Sequence, residues 1–414
     1  MKSNIDCKNE HKHNFFTTRI KQSNETLIES IEGKKIYSKK NIFFLFFFFV
    51  LSLVLIALAF SLVLKIDVKQ FFGAINNGFN RKIGYVLFVC FCLEYLWSIA
   101  YAFLGFYPRL SKININIPTW EYIIFSLTIA FFKGITPPSI FIDPYTMFWL
   151  KTKGLSTDKA TSIVITNSLT WQAAALTVTL PSFIYLWTIN DGFIKLVQNR
   201  DGWFTLITVI LGMGFNFLCF FGWFILCWSK KIHFILSRVG NWIKKKFGMK
   251  YHTKEQIEQK YQIRATMRNN FINLIKDWKI SLICFVLYVG FEIYLYLCIC
   301  FGMIFTQENT NINFYMAFNC ANVAVTANTI FFFIPGGILT LDKFLKDLLT
   351  LTNCWKNSNV NEWEKERITI NSIFLWRWFY TYLPTLTGTI GAIPLITIQL
   401  IQYKNKKKLR KNVK

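Results

Sequence analysis

The chain has 414 residues, a net charge of +25 at pH 7 and a hydrophobic fraction of 53%. A mean hydropathy of +0.34 is too apolar for a soluble protein of this length, which excludes an ordinary soluble enzyme and predicts an all-α polytopic membrane protein. Most of the charge lies in residues 1–41, 229–278 and 403–414, which flank apolar stretches without a nucleic-acid-binding motif, so it indicates cytoplasmic segments beside anionic lipid and excludes nucleic acid as a partner.

The first element is an uncharged apolar stretch at residues 42–64, which follows the basic leader of residues 1–41. A signal peptide has a shorter leader and a shorter apolar core, so we expect an uncleaved first transmembrane helix. A second apolar stretch, residues 83–107, carries Glu94 near its middle. A carboxylate at this depth is costly in lipid, so Glu94 either faces the bundle interior or snorkels or is held by neighbouring hydroxyl groups.

The next apolar unit, residues 119–153, is interrupted at its centre by Gly134, Pro137 and Pro138. Proline removes an amide donor and disrupts a helix, so the unit divides into two arms. Each arm has about 15 residues, fewer than the roughly 20 that a transmembrane helix needs. We therefore predict a re-entrant helical hairpin that enters and leaves the membrane on one side.

Two further spans are predicted at residues 160–189 and 203–228. The basic loop at residues 229–278 is expected to lie along the cytoplasmic surface as amphipathic helices, unless its charge only fixes the topology. Residues 280–305 form another apolar span, and Glu292 lies inside it.

A second broken unit, residues 314–349, is interrupted by Pro335, Gly336 and Gly337. Residues 368–401 form the last span, which we expect to break at Pro384, Gly388, Gly391 and Pro394. All three basic segments are expected in the cytoplasm, so the number of membrane crossings between any two of them must be even. This holds only if each broken unit crosses the membrane an even number of times. The prediction is about six to eight transmembrane helices and two hairpins that open to opposite faces, an inverted repeat.

The residues around the two breaks resemble a known membrane family. Gly336 and Gly337 with Asp342 soon after, followed by Arg377-W-F-Y-T-Y-L-Pro384, resemble the second half of the lysylphosphatidylglycerol synthase transmembrane region, a flippase-like integral membrane family. The first half fits more loosely, because Phe141 and Ile142 replace a glycine pair and aspartates replace glutamates. Leu339 stands where the family has a further glycine. The resemblance spans about residues 42–402 and implies a lipid-translocating membrane domain between the leader and the tail at residues 403–414.

Four ionisable residues lie at or beside the breaks: Lys133, Asp143, Asp342 and Arg377. In an apolar environment each of these charges needs a partner. The planar fork of arginine binds phosphate, and the N-termini of half-helices present free amides to an anion. In the alternative, the charges form internal ion pairs: Asp342 with Lys343, or Arg377 with Asp143 or Asp342. The predicted substrate-binding residues are Lys133, Asp143, Pro144, Pro335, Gly336, Gly337, Asp342 and Arg377.

Two functions remain open from the sequence. The first is a translocase in the plasma membrane, with both termini cytoplasmic, that moves an anionic or aminoacylated phospholipid or a lipid-linked glycan between leaflets. The second is a lipid-modifying membrane enzyme or the membrane partner of a lipid or glycosyl transferase. Most of the ten cysteines lie in apolar stretches and all four histidines lie in basic segments or at the end of a span, so we expect no catalytic residues, metal or cofactor. The family's synthase form carries an aminoacyl-transferase domain after the membrane region, which we do not expect here.

Overall fold

A computed structural model describes residues 47, 50, 51, 54 and 58 and most of residues 68–392. The gaps within 68–392 are residues 114, 116, 137, 190–192, 199–201, 229, 247–252, 256, 259–260, 262–264, 266–267, 270–271, 274–275, 307–311, 332–333, 335–336, 353 and 356–360. The chain divides into two units, residues 1–47 and 48–414, and the elements below belong to the second. The predicted leader, most of the first transmembrane helix and the basic tail lie outside the described residues.

The described elements are helices, apart from an isolated β-bridge between Ile312 and Trp355. A 3₁₀ turn at Asn328–Phe331 extends one helix. A π-helical turn at Trp378–Tyr382 follows the last numbered helix, and the chain stays helical to residue 392. The helices are α1 (Val68–Phe79), α2 (Gly84–Lys112), α3 (Thr119–Ile135), α4 (Pro138–Thr152), α5 (Thr157–Thr188), α6 (Phe193–Gln198), α7 (Gly202–Trp228), α8 (Lys230–Lys246), α9 (Trp278–Thr306), α10 (Phe314–Ala327), α11 (Thr340–Leu351) and α12 (Glu362–Arg377).

Four of the described helices are long and apolar enough to cross a membrane: α2, α5, α7 over Gly202–Gly222, and α9. They confirm the spans predicted at residues 83–107, 160–189, 203–228 and 280–305. α9 is the central helix, because α2, α5 and α12 all pack against it. Its C-terminal half is buried at Cys298, Ile299, Cys300 and Met303. The cysteines thus serve as small apolar side chains in the core.

The first broken unit is a pair of helices, α3 and α4, that separate at Thr136. Thr136 has an extended backbone (φ −128°, ψ 159°), as expected for a residue that precedes a proline. The two arms meet again at their far ends, where Lys153 forms an ion pair with Glu121. The chain therefore folds back on itself across the predicted break.

The second broken unit is the pair α10 and α11, with the 3₁₀ turn at the end of α10. At the open end, the backbone amide of Asn313 donates to the carbonyl oxygen of Cys354 at 2.7 Å. At the broken end, α10 lies against α7 so closely that a Cβ atom on Gly212 would be 2.7 Å from Cα of Ala327. A glycine at this point lets the two backbones approach.

The break predicted in the last span is wrong at Pro384 and Gly388, because the helix continues through both. The irregularity lies just before Pro384, where the amide of Leu383 bonds to the carbonyl oxygen of Trp378, five residues back. A π-helical turn widens the backbone at the point where proline would otherwise clash with the preceding turn. Pro394 lies outside the described residues.

The glycines of the last span are packing points instead of breaks. A Cβ atom on Gly388 would lie 2.4 Å from the carbonyl oxygen of Leu127 in α3. Near the end of α3, a Cβ atom on Gly134 would lie 1.9 Å from Oγ1 of Thr385. Small residues at a helix interface permit this close approach in a membrane, so the last span lies directly against the first hairpin.

Candidate functional site

A buried ion pair joins α12 to the start of α11 at the second break. Nε of Arg377 donates to Oδ1 of Asp342 at 2.7 Å, and both side chains are fully buried. The guanidinium also donates to the carbonyl oxygen of Gly337 at 2.9 Å and to Oγ1 of Thr381 at 3.3 Å. Arg377 therefore binds both the carboxylate and the free backbone of the broken segment.

The backbone at this break adopts conformations that few residues accept. Gly337 has φ +61°, and a Cβ atom there would lie 2.1 Å from Nδ2 of Asn328. Leu339 has φ +75°, which is rare for a residue with a side chain. Its amide donates to Oδ2 of Asp342 at 3.1 Å, so this carboxylate caps the first turn of α11 while it binds Arg377. Strain of this kind persists only where surrounding contacts hold it, and it is frequent at functional sites.

The arrangement decides among the ion pairs predicted for the second break. Arg377 pairs with Asp342, so the predicted pairing of Asp342 with Lys343 is wrong. Lys343 is the next residue of α11 and pairs instead with Asp347, one turn further along the helix, at 3.1 Å. The other predicted site residues here, Pro335 and Gly336, lie outside the described residues.

At the first break, Lys133 contacts the π-helical turn of the last span. Its Nζ donates to the Tyr380 hydroxyl at 2.6 Å and lies 3.9 Å from the centre of the Tyr380 ring. The Tyr380 ring stacks on Trp376, with the ring centres 5.0 Å apart. Arg377 directly follows Trp376, so about one turn of the last span contacts both breaks.

The structure does not bring Asp143 and Pro144 to this turn. Asp143 is partly exposed on α4, near Ser168 of α5, and Pro144 is exposed. The predicted alternative in which Arg377 pairs with Asp143 is therefore wrong. α5 packs against both hairpins, but the first hairpin also packs against α2 and the π-helical turn, whereas the second also packs against α7, α9 and α12.

Two acids in the middle of spans are buried in the bundle interior. Glu292 of α9 accepts hydrogen bonds from the Trp171 indole at 2.8 Å and from the Tyr296 hydroxyl at 2.6 Å. Glu94 of α2 is also buried, which places it in the bundle interior. Lys133 is the cation whose charge acts on both carboxyl groups. Neither acid is among the predicted substrate-binding residues, although an ionisable residue inside a span is the sequence signal that marks both.

A buried arginine near the end of α2 forms a further polar cluster that the sequence did not reveal. Arg109 donates to Oδ1 of Asn167 at 2.6 Å and to Oγ1 of Thr170 at 2.8 Å, both on α5. The Tyr288 hydroxyl of α9 donates to the same Asn167 oxygen at 2.6 Å. The cluster joins three spans. In the described part of the chain, no three His, Cys, Asp or Glu side chains converge as the ligands of a metal would.

Two curated bacterial proteins are similar to the chain over most of their length. It is 25% identical to the protein described as "Uncharacterized protein MG306 homolog" of Mycoplasma pneumoniae, over 90% of this chain and 92% of that protein. It is 25% identical to "Uncharacterized protein MG306" of Mycoplasma genitalium, over 87% of this chain and 91% of that protein. No solved structure matches the chain significantly.

The sequence profile of one membrane family matches the chain over residues 45–351. The match includes both hairpins and Asp342, and it ends before Arg377. Its description is "Lysylphosphatidylglycerol synthase TM region", which agrees with the resemblance seen at the two breaks and indicates a lipid-related membrane function. The protein is a multi-pass membrane protein, and it belongs to the lysylphosphatidylglycerol synthase transmembrane-region family.

Proposed function

We propose that this protein is a lipid translocase that moves an anionic or aminoacylated phospholipid, or a lipid-linked glycan, between the two leaflets of the plasma membrane. The observation that carries the proposal is that one turn of the last span contacts the broken ends of both hairpins, through Arg377 at one and Tyr380 at the other. Broken helices in corresponding positions of two halves are the usual location of a transporter's binding site.

The positions of the hairpins relative to α9 support this proposal. Lys112 at the end of α2 pairs with Asp277 at the start of α9, and the first hairpin begins a few residues later. At the other end of α9, Phe305 contacts Phe79, and the second hairpin begins after residue 313. The two open ends thus lie near opposite ends of one membrane-spanning helix, as two re-entrant hairpins that open to opposite faces require.

Similar contacts in the two halves support an inverted repeat. In α2, a Cβ atom on Gly105 would lie 1.9 Å from the Tyr288 hydroxyl of α9 and 2.7 Å from the Asn167 side chain of α5. In α9, a Cβ atom on Gly302 would lie 3.4 Å from the Ser372 side chain of α12. α2 and α9 each precede a hairpin, and α5 and α12 each follow one. In the proposed repeat, α2 and α9 are the first helices of the two halves, and α5 and α12 are the last.

We propose that a lipid phosphate competes with Asp342 for Arg377. The guanidinium is bound to a carboxylate and a backbone carbonyl in this conformation, and phosphate accepts the same planar pair of donors. Gly337 and the amides of the broken segment, with Pro335 and Gly336, would line the phosphate side. Lys133 would balance the charge at the first break, whereas Asp143 and Pro144 would contact the lipid as it enters from the α4 side.

The decisive experiment uses the purified chain in liposomes that contain a labelled phospholipid in the inner leaflet. The proposal predicts that a membrane-impermeant reagent outside gains access to the label only when the protein is present. Arg377→Lys should lose most of this movement, because an ammonium group does not reproduce the planar fork. Arg367→Lys on the same helix, where the arginine lies 5.0 Å from the Trp363 ring, is the matched control and should keep it.

The second candidate, a lipid-modifying enzyme or the membrane partner of a transferase, predicts that the purified chain alone moves no lipid. Failure of labelled lipid to cross in liposomes that hold correctly folded protein would therefore contradict the translocase and favour this candidate.

A further inference from the structure

Glu94 is the one fully buried carboxyl group in the described spans whose oxygens both lack a hydrogen-bond partner among the described residues. The Cys298 thiol and the Trp376 indole are its nearest polar neighbours, but neither completes a hydrogen bond to it. Nε1 of Trp376 is also buried without a partner in the described part of the chain. A donor and an acceptor thus lie side by side, unpaired, in the middle of the bundle.

The charges around Glu94 do not balance if every group is ionised. Lys133, which is hydrogen-bonded to Tyr380, is the basic side chain that the described helices bring toward Glu94 and Glu292, and one cation does not neutralise two carboxylates. Glu292 is stabilised by two hydrogen bonds from Trp171 and Tyr296, whereas Glu94 has none. An ionised carboxylate without donors or a counter-charge is very unfavourable in an apolar interior. Glu94 therefore needs an added positive charge, and the chemistry of its neighbours decides whether that charge is a proton or a metal ion.

The neighbours of Glu94 suit a proton better than a metal ion. Sodium, magnesium and calcium ions require several oxygen ligands, and a thiol and an indole N–H supply none. The ionisable groups that the packed helices bring to Glu94 are Lys133 from α3 and Cys298 and Tyr294 from α9, and Cys90 lies on α2 itself. The last span contributes Tyr380, which holds Lys133.

We propose that Glu94 binds and releases a proton and that this exchange is coupled to the movement of lipid. With the proton bound, Glu94 is neutral and Lys133 is free to donate to Tyr380, as the structure shows. When the proton leaves, the carboxylate gains two available partners, the Trp376 indole and the Lys133 ammonium. Lys133 then leaves Tyr380, and its contact between the first break and the last span is lost.

This coupling rests on the proposed translocase, but the proton site can be tested without any lipid movement. Infrared difference spectra of the full chain in lipid bilayers, recorded as the pH is changed, report the C=O band of a protonated carboxyl group. We expect a titrating band that is lost in Glu94→Gln and kept in Glu292→Gln, which removes a carboxyl group of the neighbouring span. A band that is the same in wild type and Glu94→Gln, or one that persists unchanged at every pH, would overturn the proposal.

The coupling is tested in liposomes that carry a pH difference across the membrane. The wild-type rate of lipid movement should change when the pH difference is reversed, and Glu94→Gln should move lipid at a rate that no longer responds. Lipid movement in the wild type that ignores the pH difference would overturn the coupling while the translocase stands. If the wild type moves no lipid, the translocase and the coupling both fail, and the infrared band still decides the proton site.

Discussion

The ion pair between Arg377 and Asp342 combines high burial with contacts to the broken backbone. A fully buried ion pair is weak evidence for stability, because the removal of two charges from water offsets most of their attraction. The loss of one partner is different, since it leaves the other charge buried and uncompensated. Single and double substitutions therefore separate the structural role of this pair from a role in binding lipid.

We expect Arg377→Gln and Asp342→Asn each to destabilise the protein by about 3–5 kcal/mol, because each leaves an unpaired buried charge. The double variant should be more stable than either single variant, since no charge then remains. Melting temperatures in detergent measure these effects, and additive losses would contradict the pairing. If Arg377 also binds a lipid phosphate, the double variant is folded but inactive in the liposome assay. A double variant that recovers both stability and lipid movement would eliminate the binding role.

The element that distinguishes this fold is the broken hairpin, which occurs twice. Each hairpin is fastened at its open end by polar contacts, Lys153 with Glu121 in the first and Asn313 with Cys354 in the second. Each is bound near its break by a glycine contact with a long helix, at Gly134 and at Gly212. In the proposed re-entrant arrangement, each short arm must have its free backbone groups satisfied by protein or water, and these contacts hold the arms where that is possible.

The two hairpins should open to opposite faces of the membrane. Cysteines introduced at Ser156 or Thr157, after the first hairpin, and at Asn361, after the second, are all at exposed positions. A membrane-impermeant thiol reagent applied to whole cells should label Asn361→Cys and leave Ser156→Cys and Thr157→Cys unlabelled, because the positive-inside rule places the first hairpin's ends in the cytoplasm. The chain has ten cysteines of its own, so labelling of the unmodified chain is measured as the background. Equal labelling of Thr157→Cys and Asn361→Cys from one side would contradict the inverted repeat.

At the scale of the whole molecule, positive charge and exposed apolar side chains occur together on α8. The helix follows α7 directly and exposes Ile235, Val239 and Trp242 together with several basic residues. Nζ of Lys246 lies 5.6 Å from the Trp242 ring. Tryptophan and lysine are typical of the membrane interface, so α8 suits a position along an anionic surface.

We expect Lys245→Gln together with Lys246→Gln to weaken retention of anionic lipid by about 1 kcal/mol per removed charge, and the difference should vanish at high salt. Mass spectrometry of co-purified lipid at low and high salt measures this retention. The matched control is Lys365→Gln with Arg367→Gln, which removes two charges from α12. A change in preference between anionic head groups of equal charge, with total anionic lipid unchanged, would contradict a purely electrostatic contact.

The sequence by itself determined the membrane class, four of the spans, both breaks and the family. These features depend on local properties, since a run of about 20 apolar residues crosses a bilayer whatever it packs against. Proline and glycine likewise disrupt a helix through their own backbone chemistry. The helix break predicted at Pro384 and Gly388 is wrong because it rests on local chemistry alone. A π-helical turn accommodates Pro384 and close packing on α3 accommodates Gly388, and neither is visible in the sequence.

The tertiary structure alone decided which charges meet. Arg377 binds a carboxylate 35 residues away, and Lys133 donates to a hydroxyl group 247 residues away, so no spacing in the sequence identifies either partner. The same packing leaves Glu94 without a hydrogen bond while Glu292, a similar acid in a similar span, has two. In a low-dielectric interior the energy of a charge depends on the few groups within reach of it, and only the packing of helices determines those groups.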